Sequence, residues 1–347
     1  MSDLTPRTVL DSLNLGLHQA LRDDPQVVML GEDLLDPYGG AFKVTRGLST
    51  AFPDQVLTTP ISEAGITGMA GGMALRGMRP VVEIMFGDFT TLIADQVINH
   101  IAKYNGMYAG AVSAPVVIRT PMGGRRGYGP THSQTLEKFF LGVPGLTVLA
   151  PFNLLGDHPL GAPGALLYEA IHTLDSPALF VENKLQYQFR LHPWVDLAEY
   201  ALTGEGIPGG FPAPFYTVRL KSAPAVQITL AAYGYMAQIA LEALHALAYQ
   251  HEIFCELMVP TQLVPFELGP LFDSVGRTGR LLTVEEGTFS LGWGAEVLAR
   301  TAEALGPGLK AAGRLAASEG VIPVAPDLEA ACLPDVDDIV ARVREMV

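Results

Sequence analysis

Short apolar runs rich in β-branched residues alternate with stretches of helical spacing through this 347-residue chain. That alternation limits the fold more than any other feature. The runs lie at 27–30, 56–60, 81–86, 116–120, 146–150 and 178–182. They are mostly apolar, which suits strands buried on both faces. Helix candidates fall between them at 10–22, 63–76, 92–107, 135–140 and 165–173. Strand–helix alternation argues for α/β architecture built on a parallel sheet. Near Tyr200 the composition shifts, and 203–215 (TGEGIPGGFPAPF) reads as a Gly- and Pro-rich linker or irregular crossover. The pattern then resumes, with strands at 227–233, 253–257 and 280–284 and helices at 236–250 and 293–305. Two α/β domains are expected, 1–200 and 217–347, joined by a linker at 201–216. Two is also the number that this length suggests, at roughly 100–200 residues per domain.

Composition removes several functional classes. The chain carries 22 Lys+Arg against 36 Asp+Glu, a net charge of −14, and only 17% of its residues are charged. Disorder needs low hydrophobicity and high charge, and 49% of this chain is apolar. A nucleic-acid or anionic-membrane surface needs a basic patch. The low charge density instead suggests large subunit interfaces. Two cysteines, Cys255 and Cys332, make no disulfide framework and fit a reducing compartment. The uncharged run 139–156 is broken by Pro144 and Pro151. The run 222–241 is broken by Pro224, Gln227, Gly234 and Gln238, so neither reads as a membrane span. With no apolar signal run at the N-terminus, a cytoplasmic protein is expected. The sequence has no GxxxxGK[ST], no GxSxG elbow, no dinucleotide fingerprint and no His/Cys metal spacing.

Ligands of open α/β sheets bind beyond the carboxyl ends of the strands, and three polar segments sit there. In TTPISEAGI (58–66), Glu63 opens a Gly-rich helix. A carboxylate favours a helix N-terminus through the macrodipole, with Ser62 as N-cap. Gly65, Gly68, Gly71 and Gly72 also demand close approach of another helix or of a ligand. In MFGDF (85–89), Phe86 and Phe89 are core residues or a platform for a planar heterocycle, and Asp88 is a candidate cap. The third segment, RTPMGGRRGYGPTHSQ (119–134), is a long loop of the kind that is usually functional. His132 is a surface histidine or a proton carrier. Arg125 and Arg126 bind a carboxylate or phosphate, or pair with acids across an interface.

These segments, in this order, resemble the β subunit of the thiamine-diphosphate-dependent decarboxylating component of 2-oxo acid dehydrogenases. That group includes the pyruvate, branched-chain 2-oxo acid and acetoin enzymes. GEDLLDPYGGAF (31–42), DQVINHIAKY (95–104), VENKLQY (181–187) and GRLLTVEEG (279–287) extend the resemblance through most of the chain. It implies a transketolase-like pyrimidine-binding domain followed by a transketolase C-terminal-type domain. It also implies that Glu63 hydrogen-bonds N1′ of the aminopyrimidine and promotes its imino form, which takes the thiazolium C2 proton. Decarboxylation of the 2-oxo acid follows, with the cofactor ring holding the electrons. By the same resemblance Phe89 and Ile61 contact the pyrimidine, Glu32 lies near the cofactor, and His132 serves substrate handling and acyl transfer to lipoamide.

The sequence departs from that pattern in places. Met85 stands where relatives often carry Gln, and 152–164 is unusually Pro/Gly-rich. A one-residue insertion in AIHTLDS (170–176) puts the family's potassium position, near Ala170 and Asp175, in doubt. The Gly-Asp-Gly…Asn motif that holds Mg²⁺ and the diphosphate is missing. The resemblance therefore implies an α subunit carrying it, in an α2β2 assembly that passes its acyl group to a lipoyl acyltransferase or another carrier. Half of a split transketolase or acyloin-forming enzyme, and a non-catalytic scaffold of the same fold, are the competing expectations. Arg125-Arg126 suggests a substrate with a second anionic group. Charge reversal at both positions is expected to abolish turnover on such a substrate, and unchanged turnover refutes the idea.

Overall fold

The computed structural model describes residues 5–193, 197–206 and 211–347. The chain divides into two compact units, 1–123 with 139–193, and 124–138 with 194–347. In chain order the first unit holds α1 (Val9–Asp23), β1 (Val27–Gly31), α2 (Leu48–Ala51), β2 (Val56–Thr58), α3 (Glu63–Ala74) and β3 (Arg79–Glu83). There follow α4 (Thr90–Asp95), α5 (Tyr104–Met107), β4 (Val117–Met122), β5 (Thr147–Leu149), α6 (Gly161–Thr173) and β6 (Ala178–Asn183). Its strands are all parallel, in the order β5-β6-β4-β3-β1-β2. β1, β4, β5 and β6 are buried at every residue, the charged Arg119 and Glu182 included.

A buried ion cluster spans the middle of this sheet. Arg119 of β4 donates to Glu83 of β3, and to both carboxylate oxygens of Glu182 of β6, at 2.9 and 2.6 Å. Tyr187 donates its hydroxyl to the same Glu182. Arg119 is 1% exposed and Glu182 2%. Burial alone would lower the Arg119 pKa, but the charges of Glu182 and Glu83 outweigh it and hold the guanidinium protonated. Burial pushes Glu83 upward and the Arg119 charge opposes it. The bidentate pairing supplies the geometry that a desolvated pair needs.

The Pro/Gly-rich segment before α6 has a packing reason. A Cβ on Gly164 would lie 2.1 Å from the Ser12 carbonyl oxygen, and one on Gly16 would lie 2.6 Å from the Gly164 oxygen. Helices α1 and α6 therefore meet backbone to backbone. Ser12 Oγ bridges them, accepting from Gly164 N–H at 2.8 Å and donating to the Leu160 carbonyl at 2.5 Å. The helix expected at 92–107 is interrupted. It begins as α4, widens into a π turn at Gln96–His100, tightens at Ile101–Lys103 and ends as α5. The interruption sets Gln96 against Gly68 and Ile101 against Gly71 of α3. Gly68 and Gly71 thus admit a neighbouring helical segment, whereas Gly65 faces Ser62 and Gly72 has no close neighbour.

The second unit holds β7 (Tyr200–Gly206), β8 (Pro214–Leu220), β9 (Ile228–Ala232), α7 (Gly234–His251), β10 (Cys255–Pro260) and β11 (Gln262–Val264). After these come α8 (Gly269–Thr278), β12 (Arg280–Thr288), α9 (Trp293–Leu305), β13 (Ala311–Ala317), α10 (Pro326–Ala330) and α11 (Val336–Met346). Its sheet runs β13-β12-β9-β10-β8-β7; the first four strands are parallel, while β8 is antiparallel to β10 and to β7.

The linker expected at 201–216 is therefore mostly strand. Tyr200 to Gly206 pair with Leu220 to Pro214 as an edge hairpin, and 207–210 lie outside the described residues. Pro214 opens its strand, a position that tolerates a missing N–H, and the Tyr216 ring fills the space beside Gly204. The helix expected at 135–140 is only a 3₁₀ turn, Glu137–Phe139. Side-chain bonds from Glu137 to Tyr233 and from Lys138 to Thr288 and Ser290 fix this stretch in place of a helical ladder. Among the described residues no helix is long and apolar enough to cross a membrane.

Replacing Arg119 by Met leaves Glu83 and Glu182 buried without their counter-ion. A loss of about 3–5 kcal/mol is expected, read as a lowered urea midpoint; an unchanged midpoint would show that the cluster does not hold the sheet.

Candidate active site

In the first unit, β1 leads outward to β2 on one side and β3 leads to β4 on the other. The carboxyl ends of adjacent β1 and β3 therefore flank a topological switch point, where open α/β sheets form their ligand crevice. Glu32 directly follows β1. Met85, Phe86 and Phe89 follow β3, all half-buried. Glu63 is the first residue of α3, which packs on β1 and β3.

Ser62 makes no side-chain capping bond. Its backbone N–H instead faces Glu32 and favours the Glu32 carboxylate. Burial raises the Glu32 pKa and the Glu63 charge raises it further, while the Ser62 N–H opposes both. Glu32 Oε1 is buried without a hydrogen-bond partner, and Glu63 is only 8% exposed. A carboxyl whose proton affinity is raised by burial and by a neighbouring carboxylate, and which keeps a spare acceptor, suits a ligand that bears N–H donors.

Aromatic rings line the same end of the sheet. Phe86 meets Phe89 edge-on with centroids 5.6 Å apart, and Phe42 meets Phe86 at 5.5 Å and Tyr187 at 5.6 Å. The buried Lys184 ammonium lies 5.4 Å from the Phe86 ring centroid. These rings would flank a planar heterocycle. Ile61 stands 84% exposed, and Leu57, Met69 and Leu92 are also exposed. So much uncovered apolar surface on β2, α3 and α4 marks a contact face.

The candidate residues fall into two sets. Glu32, Ile61, Glu63, Met85 and Phe89 belong to the first unit, whereas Arg125, Arg126 and His132 belong to the second. His132 is partly exposed, with Nδ1 2.9 Å from the Thr131 hydroxyl and its backbone N–H donating to Gly129. Arg125 is not free for a substrate. Its guanidinium donates to the Pro334 carbonyl and lies over the Tyr235 ring at 5.6 Å. Arg126 is exposed, 5.6 Å from the Tyr128 ring. Arg125 is thus held within the second unit, with its Nε buried and unpartnered, while Arg126 stays exposed.

Ala170 is buried within α6, and the Asp175 carbonyl accepts from Ala114 N–H at 3.2 Å. Asp175 and Ala114 line a cavity of about 750 Å³ that includes Lys103 and Asn105 but none of Glu32, Glu63 or Phe89. Among the described residues no group of three or more His, Cys, Asp or Glu side chains could hold a metal ion.

Sequence reasoning assigned no role to the acids around the His132 loop. Glu286 Oε1 accepts from Gly124 N–H at 2.9 Å, and Glu137 accepts the Tyr233 hydroxyl at 2.6 Å. Glu285 accepts from Gly294 N–H at 3.0 Å. Gly294 admits that approach because a Cβ there would lie 2.3 Å from Thr283 Oγ1. Burial, helped by the Glu137 charge, raises Glu285 to about 8. Paired acids in VEEG, at a strand end, were the one signal available.

Residues 6–189 match the family described as the transketolase pyrimidine binding domain, and residues 218–339 match the transketolase C-terminal domain. The chain thus belongs to the transketolase-type family. Within it, the chain falls among the β subunits of pyruvate and acetoin dehydrogenases. It is 36% identical to the pyruvate dehydrogenase E1 component subunit beta of Leifsonia xyli, over 98% of this chain and 93% of that one. It is 35% identical to subunit beta-2 of the mitochondrial pyruvate dehydrogenase E1 component of rice, Oryza sativa, over 97% and 85%. It is 32% identical to the acetoin:2,6-dichlorophenolindophenol oxidoreductase subunit beta of Cupriavidus necator, over 96% and 95%. A solved split-gene transketolase, an inactive β4 tetramer, shares the fold with a TM-score of 0.70 over 98% of both chains at 18% identity.

The raised Glu285 gives a signed pH effect. The folded chain keeps a proton that the unfolded chain loses above its ordinary pKa of 4.5, so stability falls as pH rises from 4.5 to about 8. The slope is up to about 1.4 kcal/mol per pH unit. Glu285→Gln is expected to flatten it in urea midpoints taken across that window. An equal slope in both proteins would show that Glu285 ionises normally.

Proposed function

We propose that this chain is the catalytic β subunit of a thiamine-diphosphate-dependent 2-oxo acid dehydrogenase and that it acts only with an α subunit. The observation that carries this reading is the Glu32–Glu63 pair at the switch point beside Phe86 and Phe89. Its orphan Oε1 atom and the buried Glu63 carboxyl fit an aminopyrimidine, which offers exocyclic N–H donors and a ring nitrogen. Glu63 would hold the proton at N1′, with Glu32 beside it. Phe89 and Ile61 would sit against the ring, with Met85 beside them. Bound there, the cofactor supplies the nucleophilic carbon and the electron sink for loss of carbon dioxide. Exclusion of water strengthens the Glu63 hydrogen bond, because a charge-assisted bond gains in a low dielectric. His132 would exchange protons with substrate and with the acyl acceptor.

The diphosphate and its Mg²⁺ require ligands that this sequence lacks, so the reading assigns them to an α subunit in an α2β2 assembly. The exposed apolar residues Leu57, Ile61, Met69 and Leu92 support a partner on this face. A lipoyl acyltransferase is the expected acyl acceptor, in the cytoplasm. A potassium ion near Asp175 would be held by carbonyl oxygens.

The test is Glu63→Gln in the reconstituted assembly, saturated with thiamine diphosphate and Mg²⁺, with pyruvate as substrate, free lipoamide as acyl acceptor and carbon dioxide release as readout. The parent is expected to turn over and the variant to lose about 10²–10⁴-fold, the range for a positioned proton-transfer group. Turnover within twofold of the parent would refute the assignment and favour a scaffold.

A further inference from the structure

Glu329 is a carboxylate 3% exposed on α10, with no role in the chemistry above. A buried carboxylate needs hydrogen bonds to offset its lost hydration. It finds them on one segment of the second unit, the loop that leads to His132. Glu329 Oε1 accepts from Arg125 N–H at 2.8 Å, and Oε2 accepts from Gly127 N–H at 3.0 Å. Both donors belong to residues with left-handed backbone, φ 66° and 67°. Turn conformations of this kind make neighbouring N–H groups converge into a concavity that binds an anion. Here the anion is supplied by the chain itself.

Further contacts close the clamp. The Arg125 guanidinium reaches past Glu329 to the Pro334 carbonyl. A Cβ on Gly124 would lie 2.7 Å from Leu333 Cδ1, and one on Gly129 would lie 2.7 Å from Val324 Cγ2. The loop therefore lies flat on the 324–334 segment. Its downstream end carries His132, whose backbone N–H is bonded to Gly129.

We propose that Glu329 is a positioning residue: its carboxylate fills the anion-binding concavity of the 125–127 turn and so fixes the loop that aims His132. The proposal rests on the acyl-transfer role read for His132. It also explains why paired arginines next to a Gly-rich turn need not bind an anionic substrate. The site such a loop would offer is already occupied by Glu329.

The test uses the reconstituted α–β assembly carrying Glu329→Gln. An amide keeps one acceptor oxygen and sets an NH₂ against the other N–H, so one of the two bonds is lost. Hydrogen exchange in peptides spanning 123–131 is expected to quicken about tenfold, while peptides from β9 and β12 are unchanged. Acyl transfer to free lipoamide is expected to fall about 10-fold, with KM for pyruvate within twofold, because small misplacements of a reacting group are costly. In a His132→Ala background, Glu329→Gln is expected to add less than about twofold.

Unchanged loop exchange overturns the clamp. Faster exchange with full acyl transfer overturns the positioning role, as does an equal loss in both backgrounds. If His132→Ala alone keeps full turnover, the role read for His132 fails, and loop exchange still decides whether Glu329 clamps the turn. Glu329→Asp, which keeps the charge but is one methylene shorter, serves as a second variant if the amide does not assemble. It is expected to give intermediate exchange.

Discussion

The arginine at position 119 ties the first unit together. Three neighbouring parallel strands each bring one charged side chain to the same buried point, and the guanidinium satisfies two carboxylates at once. A parallel sheet offers no hairpin turns to fix register, so such a bidentate lock between β3, β4 and β6 has a clear use. The lock also reaches the candidate site. Glu182 holds the Tyr187 hydroxyl, the Tyr187 ring packs on Phe42, and Phe42 packs on Phe86 beside Phe89. The aromatic wall is thus positioned by an ion cluster that touches no ligand.

Glu32 and Glu63 show the opposite kind of placement. The Glu63 charge adds to burial in disfavouring the charge on Glu32, and one Glu32 oxygen is buried without a hydrogen-bond partner. Apolar side chains stay exposed on the elements beside this pair, although the same unit buries its strands almost completely. A chain that packs its interior this tightly, yet leaves Ile61 84% exposed, is built to be covered by something else. The family to which the chain belongs, and β subunits among its relatives, agree with that physical reading.

Part of the candidate site was legible before any coordinates. Glu63 and Phe89 stand out because each follows a strand, where an α/β sheet places its chemistry, whereas the place of Glu32 came from the family resemblance. What the sequence hid is informative too. Arg125 looked like an anion ligand, since a guanidinium in a glycine-rich loop has that chemistry. Its partners, Glu329 and Pro334, lie about two hundred positions away along the chain, beyond the reach of local pattern. The 201–216 segment misled for a related reason. Glycine and proline weaken a central strand, but an edge hairpin tolerates them when a ring such as Tyr216 covers the gap.

By itself the sequence determined the α/β class and the two-part organisation, and it marked Glu63, Phe86 and Phe89 as candidates. These follow from periodicity and from position relative to buried strands, which are local properties. Only the tertiary structure decided that Arg119 is a lock, that Arg125 is anchored and that Glu329 and Glu286 hold the His132 loop. Each of those roles depends on which distant group supplies the missing hydrogen bond to a buried charge. Burial and partner choice exist only once the chain has folded.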